Sequence, residues 1–333
     1  KATNLKLSYS DEEVIHFGLI PRAHRCIFVL NELPDLQPRI QVSLFSILEE
    51  KEIQIRGFKV RLPLDIQFIF TSNPEDYTNR GNIVTPLKDR IGSQILTHYP
   101  ESIEIAKQIT EQESKLNSKV ISQIHIPEIA RDIIEQISFE ARESDLVDNK
   151  SGVSARMSIT SLQNLVSSAE RRMIINNEKQ TSIRMSDFNS VISSINGKVE
   201  LVYEGEEEGA EQVSYNLISD AVKSLFNKYF PKIEKLSKPD EETPYDSLLE
   251  WFTQKQLIIG DNLKNNEYEE LLTEIIDART IIDKYVKDLD DNDKFFFIEF
   301  ILWGLESFNK LSILRTNNGI EFKDPFNNFI NKI

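Results

Sequence analysis

Residues 26–30, "CIFVL", are apolar and β-prone, and they run directly into Asn31-Glu32. The run predicts a buried strand whose tip presents an amide and a carboxylate. Residues 65–73, "DIQFIFTSN", predict a second buried strand that again ends in small polar groups, Thr71-Ser72-Asn73. Between the two, Pro34 and Pro38 mark a loop and a helix start. Ile40, Leu44 and Leu48 then share one face at i, i+4, i+8, as an amphipathic helix requires. "EIQIRGFKVRL" at 52–62 alternates on both sides of Gly57 and predicts a β-hairpin. "LKLSY" at 5–9 reads as a short strand, "IPRAHR" at 20–25 as a polar turn, and 74–90 as a polar loop entering a short helix.

From residue 101 to about 195 the period becomes helical. Pro127 opens a helix with Ile129, Ile133 and Ile137 on one stripe, and "GVSARMS" at 152–158 is a turn before a helix carrying Leu162, Leu165, Val166 and Ala169. "EGEEEGAEQ" at 204–212 has the composition of a charged linker. Beyond it the pattern reads as helical to the end, and "FFFIEFILWGL" at 295–305 as a buried core helix. No internal repeat is visible. Strands first and helices afterwards predict an α/β core followed by an all-α part.

The chain has 333 residues, room for about two domains. Its net charge of −15 disfavours a phosphate backbone as partner, so nucleic acid is not expected. No stretch reaches the roughly 18 apolar residues of a membrane span. Cys26 is the one cysteine, which excludes internal disulfides and fits a reducing, cytoplasmic compartment. Its apolar run makes it a small core residue rather than a nucleophile. The four histidines (His16, His24, His98, His125) form no zinc-ligand pattern, and no G-x-S-x-G is present.

In open α/β sheets, ligands bind beyond the carboxyl ends of strands. A carboxylate on one tip and an amide on its neighbour can together position a water for hydrolysis of a Mg²⁺-bound nucleoside triphosphate. The stretch from "IPRAHRCIFVLNE" through "FIFTSN" to "TPLKDRIGSQI" resembles the AAA+ ATPase subunit of magnesium chelatase and the MoxR-type ATPases, over roughly residues 15–170. The resemblance implies the C-terminal half of an αβα nucleotide-binding core at 1–100, a helical lid at 101–195, an acidic linker at 196–212 and an extra helical domain at 213–333. It implies ATP and Mg²⁺ as cofactors. By the same resemblance "IFVLNE" is the Walker B strand, with Asn31 touching the metal through water and Glu32 as the catalytic carboxylate. Asn73 matches sensor 1, Arg90 in "PLKDR" the arginine finger, and Arg156 in "GVSAR" the nucleotide-contacting sensor 2. Family members form rings, commonly hexamers, and work with a partner bearing a von Willebrand A domain.

Two departures stand out. Asn31 replaces the Walker B aspartate and removes a negative charge beside the metal. No G-x-x-x-x-G-K-[ST] occurs in the 333 residues, so the resemblance places that loop upstream of Lys1. Each residue also has a plainer reading: Asn31-Glu32 as a strand end, Arg90 as a surface ion pair, Arg156 as a residue at a helix start, Arg80 as a solvated loop residue. The expected activity is an ATP-driven motor that remodels or metal-loads a partner protein. The alternatives are a non-hydrolysing assembly platform and an MCM-like nucleic-acid motor, the latter opposed by the acidic charge. "DLDDNDKFFFIE" at 288–299 has carboxylates at positions of a calcium loop, yet Asp293 stands where that loop needs glycine. It reads as a solvated turn, with Asp291 or Asn292 capping the next helix.

Overall fold

A computed structural model describes residues 17–54, 61–73, 82–148, 151–233, 243–287, 289–316 and 319–325. The chain divides into two units, Lys1–His98 and Tyr99–Ile333. The strand expected at 5–9, the hairpin turn and Arg80 lie outside the described residues.

In the first unit, α1 (Leu19–Arg22) precedes β1 (Ile27–Leu30). A 3₁₀ turn (Leu33–Asp35) then leads to α2 (Pro38–Ser43) and α3 (Phe45–Glu50). β2 (Glu52–Gln54) and β3 (Arg61–Pro63) follow, then β4 (Gln67–Phe70) and α4 (Thr85–Arg90). β1 and β4 pair in parallel, with Ile27 opposite Gln67 and Leu30 opposite Phe70. β2 and β3 form the expected antiparallel pair.

Both strands of the parallel pair alternate, so each buries only one face. Leu30, Phe68 and Phe70 lie against a core of Leu33, Leu44, Ile47, Leu64, Ile83 and Leu87. Ile27, Val29 and Ile69 are exposed on the opposite side. Strands expected to be buried are thus half-buried. Cys26, expected in the core, is exposed, because it lies just before β1 and outside the packed face. The helix expected from Pro38 is two short helices meeting at Leu44, and the turn read at 20–25 begins as α1.

In the second unit, α5 (Ile103–Glu113), α6 (Ser118–Ile121), β5 (Ile124–His125), α7 (Glu128–Glu143) and α8 (Arg156–Ile175) come first. Next are β6 (Thr181–Ser182), a 3₁₀ segment (Met185–Val191), α9 (Ile192–Asn196), α10 (Tyr203–Glu208) and α11 (Ala210–Tyr229). The last are α12 (Asp246–Gln254), β7 (Leu257–Gly260), α13 (Asn265–Thr273), α14 (Ile276–Tyr285), α15 (Asp291–Ser307), β8 (Ser312–Thr316) and β9 (Gly319–Lys323). The stripe Ile129, Ile133, Ile137 of α7 is buried as its spacing predicts. Five of the described strands in this unit were not visible as such: β5 and β6 pair in parallel, and β7, β9 and β8 form an antiparallel sheet in that order.

One hydrophobic core runs from α7 and α8 through α11 to α15. The composition-based linker crosses this unit as structure. Glu200 to Val202 bond to Leu146 and Asp148, and Gly205 packs so closely that a Cβ there would lie 2.5 Å from the Leu146 carbonyl oxygen. Charge-rich composition misled here because the acidic residues of α10 are its exposed face, while the glycine is its contact.

α15 is buried continuously from Phe296 to Leu305, a run that is apolar apart from Glu299. Its cap is Asp290, whose side chain accepts from the Asn292 amide. The expected cap at Asp291 or Asn292 is therefore shifted by one or two residues. Glu299, the last position of the calcium-like pattern, points into the core. It accepts from the Met185 and Ser186 amides at 3.0 and 2.9 Å and from the Tyr268 hydroxyl at 2.8 Å. Beside it, Arg172 bonds Asp187 at 2.7 Å, with both side chains nearly fully buried. Trp303 is buried in the same helix, and Trp251 on α12 lies under Lys255 with its ring centroid 5.3 Å from the ammonium.

Gly304 lies against the Phe226 ring, where an added Cβ would come within 2.1 Å of Cδ2. Phe226 cannot yield, because Phe230, Tyr245, Phe300 and Phe308 surround it at ring distances of 5.0–6.1 Å. Alanine gains about 1 kcal/mol of helix propensity over glycine. The enforced overpacking outweighs that gain, and Gly304→Ala is expected to lower stability in urea by about 1–2 kcal/mol net.

Burial pushes the Glu299 carboxyl up to about 7, against the pull of the Tyr268 hydroxyl and Arg184. An unfolded glutamate titrates near ~4.3. Between those values the folded chain holds a proton that the unfolded chain has lost. The stability this group contributes is complete below about pH 4.3 and lost as pH rises towards 7. Urea midpoints measured across that window should fall with pH in the native chain and fall less steeply in Glu299→Gln.

Candidate functional site at the strand tips

The parallel register brings the tips of β1 and β4 side by side. The Thr71 amide donates to the Leu30 carbonyl at 3.0 Å, and the Leu33 amide to the Thr71 carbonyl at 2.9 Å. Thr71 Oγ1 accepts from the Glu32 amide and donates to Asn31 Oδ1, each at 3.2 Å. One threonine hydroxyl thus ties both residues of the first tip to the second. Sequence reading named the tips but not this hydroxyl.

Glu32 has φ 53° and ψ 55°, a left-handed conformation uncommon for a residue with a Cβ. Strain of this kind costs about 1–3 kcal/mol and collects where a site requires it. Its local effect is visible. The reversal drives Leu33 and Pro34 into the core while the Glu32 side chain stays exposed at the strand end. Asn31 and Asn73 are exposed beside it. Asn31, Glu32 and Thr71, joined through the Thr71 hydroxyl, offer hard oxygen donors, the chemistry that suits hydrated Mg²⁺, and Asn73 follows two residues after Thr71. Among the described residues, no group of three or more His, Cys, Asp or Glu could bind a metal directly.

Arg90 closes α4 and is tethered within its own unit. Nε and Nη2 donate to Glu49 Oε2 at 2.9 and 2.7 Å, Nη1 donates to the Pro86 carbonyl at 2.9 Å, and the guanidinium lies 5.0 Å from the Phe45 ring centroid. The plainer reading of an ion pair holds in this structure, with Glu49 rather than Asp89. Glu49 is largely exposed, which weakens the ion pair itself, while release of Arg90 would also give up the Pro86 carbonyl bond and the Phe45 contact. Arg156 is an exposed residue at the start of α8, in the second unit.

A residue not singled out from sequence positions α4. Gln41 is fully buried. Its Nε2 donates to the Leu36 and Asn82 carbonyls at 2.8 and 3.3 Å, and its Oε1 accepts from the Val84 amide at 2.9 Å. It therefore sets the entry of the helix that carries Arg90. The only signal in the sequence was a polar residue inside the apolar stripe of a short helix.

Residues 5–93 match the family model described as the Sigma-54 interaction domain, a family of the AAA+ class. The N-terminal unit is therefore similar to AAA+ ATPase domains. The match covers less than a third of the chain and names a different AAA+ branch from the chelatase and MoxR proteins. No curated protein matches the chain. Among solved structures it is similar to a candidate ATPase from Cytophaga hutchinsonii ATCC 33406, at 20% identity and a TM-score of 0.24. That similarity covers 58% of this chain and 64% of the other. Among the described residues no helix is long and apolar enough to cross a membrane.

Gln41→Leu would leave the Val84 amide without its acceptor. The expected loss is about 1–3 kcal/mol of local stability, read as faster hydrogen exchange at Val84.

Proposed function

We propose that this chain is the C-terminal part of an ATP-driven ring motor of magnesium-chelatase/MoxR type that remodels or metal-loads a partner protein. The observation that supports the reading best is the strand tip itself, where a strained Glu32 presents its carboxylate beside Asn31, with Thr71 holding both. The oxygen donors there suit the group the class uses. Asn31 would hold Mg²⁺ through water, and Arg156 would contact the nucleotide. Bound ATP would supply the phosphoanhydride to be cleaved.

The chain's own residues then divide the work. Glu32 orients the attacking water and takes its proton. Asn73 holds that water in line. Arg90 leaves Glu49 and extends to a neighbouring copy, where its positive charge offsets the charge that develops. The phosphate-binding loop comes from outside these 333 residues. A ring of about six copies, a von Willebrand A domain partner and a cytoplasmic location complete the proposal.

A second reading is a platform that binds nucleotide without hydrolysing it. It is favoured by Asn31 in place of an aspartate and by the tether of Arg90 to Glu49. Phosphate release by the native full-length protein and its Glu32→Gln variant separates the two. The motor is expected to lose about 10²-fold or more in turnover while retaining ATP. Absence of turnover in both proteins would replace the motor with the platform.

A further inference from the structure

The second unit contains a cavity of about 560 Å³ that the strand-tip chemistry does not use. Its volume falls in the roughly 300–1,000 Å³ range of small-ligand sites. It opens where β5 and β6 meet the first turns of α13 and α15. Arg184 lines it, although that residue is only 2% exposed.

The partners of Arg184 are the informative feature. Nη1 donates to the Leu263 carbonyl at 2.9 Å, Nη2 donates to Asn265 Oδ1 at 3.1 Å, and the guanidinium lies 4.0 Å from the Tyr268 ring centroid. All three partners are neutral. The nearby carboxylates are engaged elsewhere. Asp187 serves Arg172, the Arg184 backbone amide and Ser168, while Glu299 serves two backbone amides and Tyr268. Both act on Arg184 through space, and Arg172 opposes them. Among the described residues, the guanidinium therefore has no hydrogen-bonded counter-ion. Buried charges are normally paired, and a guanidinium has five N–H donors, so this one retains donor capacity at the cavity wall.

The remaining lining narrows the ligand. Glu269 and Asp291 are acidic and would repel a multiply charged phosphate, whereas Gln123 and Gln180 offer amide hydrogen bonds. We propose that this cavity binds a small ligand bearing one carboxylate and at least one amide or amine, such as a peptide C-terminus or a free amino acid, with Arg184 as its counter-charge.

Calorimetric titration of the full chain tests this with four probes: acetyl-Ala-Ala, its C-terminal amide, free L-alanine and inorganic phosphate. Saturable binding of acetyl-Ala-Ala or alanine is expected, with the amide-capped twin at least about tenfold weaker. The tighter of acetyl-Ala-Ala and free alanine identifies a peptide or an amino acid as the source. Glu269→Gln removes a repelling charge at the cavity lining without touching Arg184, and should tighten carboxylate binding. Equal binding of the acid and its amide, tighter binding of phosphate, or no saturable binding of either carboxylate would overturn the proposal.

Discussion

Two arginines and two carboxylates sealed inside the second unit set the terms for everything around them. Arg172 on α8 and Glu299 on α15 both fasten to the 3₁₀ segment, Arg172 through Asp187 and Glu299 through the Met185 and Ser186 amides. Removing one partner of a buried ion pair commonly costs about 3–5 kcal/mol, because it strands the other charge. Such a group therefore tolerates one relative placement of its helices and few others. It explains why the part read as a lid and the part read as a separate helical domain share one core.

The first unit relies on a different device. Its parallel pair has only one packed face, and its tip is held by a single threonine hydroxyl and a strained glutamate. Parallel sheets are ordinarily covered on both faces, so exposed Ile27, Val29 and Ile69 mark a surface that this unit alone leaves uncovered. The candidate site sits at the end of that pair, while Gln41 fixes the entry of the helix bearing Arg90. Positions of the candidate groups here follow from side-chain hydrogen bonds, exposed at the strand tip and part-buried at Gln41.

Much of this was legible in the residue pattern. The apolar, β-prone runs at 26–30 and 65–70 located both strands, and the spacing Ile129, Ile133, Ile137 located α7 and its buried face. Polar residues after each strand marked the tips. What escaped was non-local. β8 and β9 are short segments that become strands only by pairing with each other and with β7. Local periodicity cannot separate such runs from helix. Cys26 was misplaced because a strand beside an uncovered face looks, in sequence, like a fully buried one. Glu299 falls on the helix read at 295–305, but spacing along the chain does not reveal that its carboxylate turns inward to two amides.

The positions of the two tryptophans decide what an optical experiment on this chain can detect. Trp251 and Trp303 are the chain's whole complement, and both belong to the second unit. Trp303 is sealed in α15, with the Arg315 guanidinium 5.6 Å from its ring, and Trp251 packs on Phe252. Emission therefore reports the helical unit alone. The strand tips could open, or the first unit melt entirely, while the fluorescence trace stayed flat.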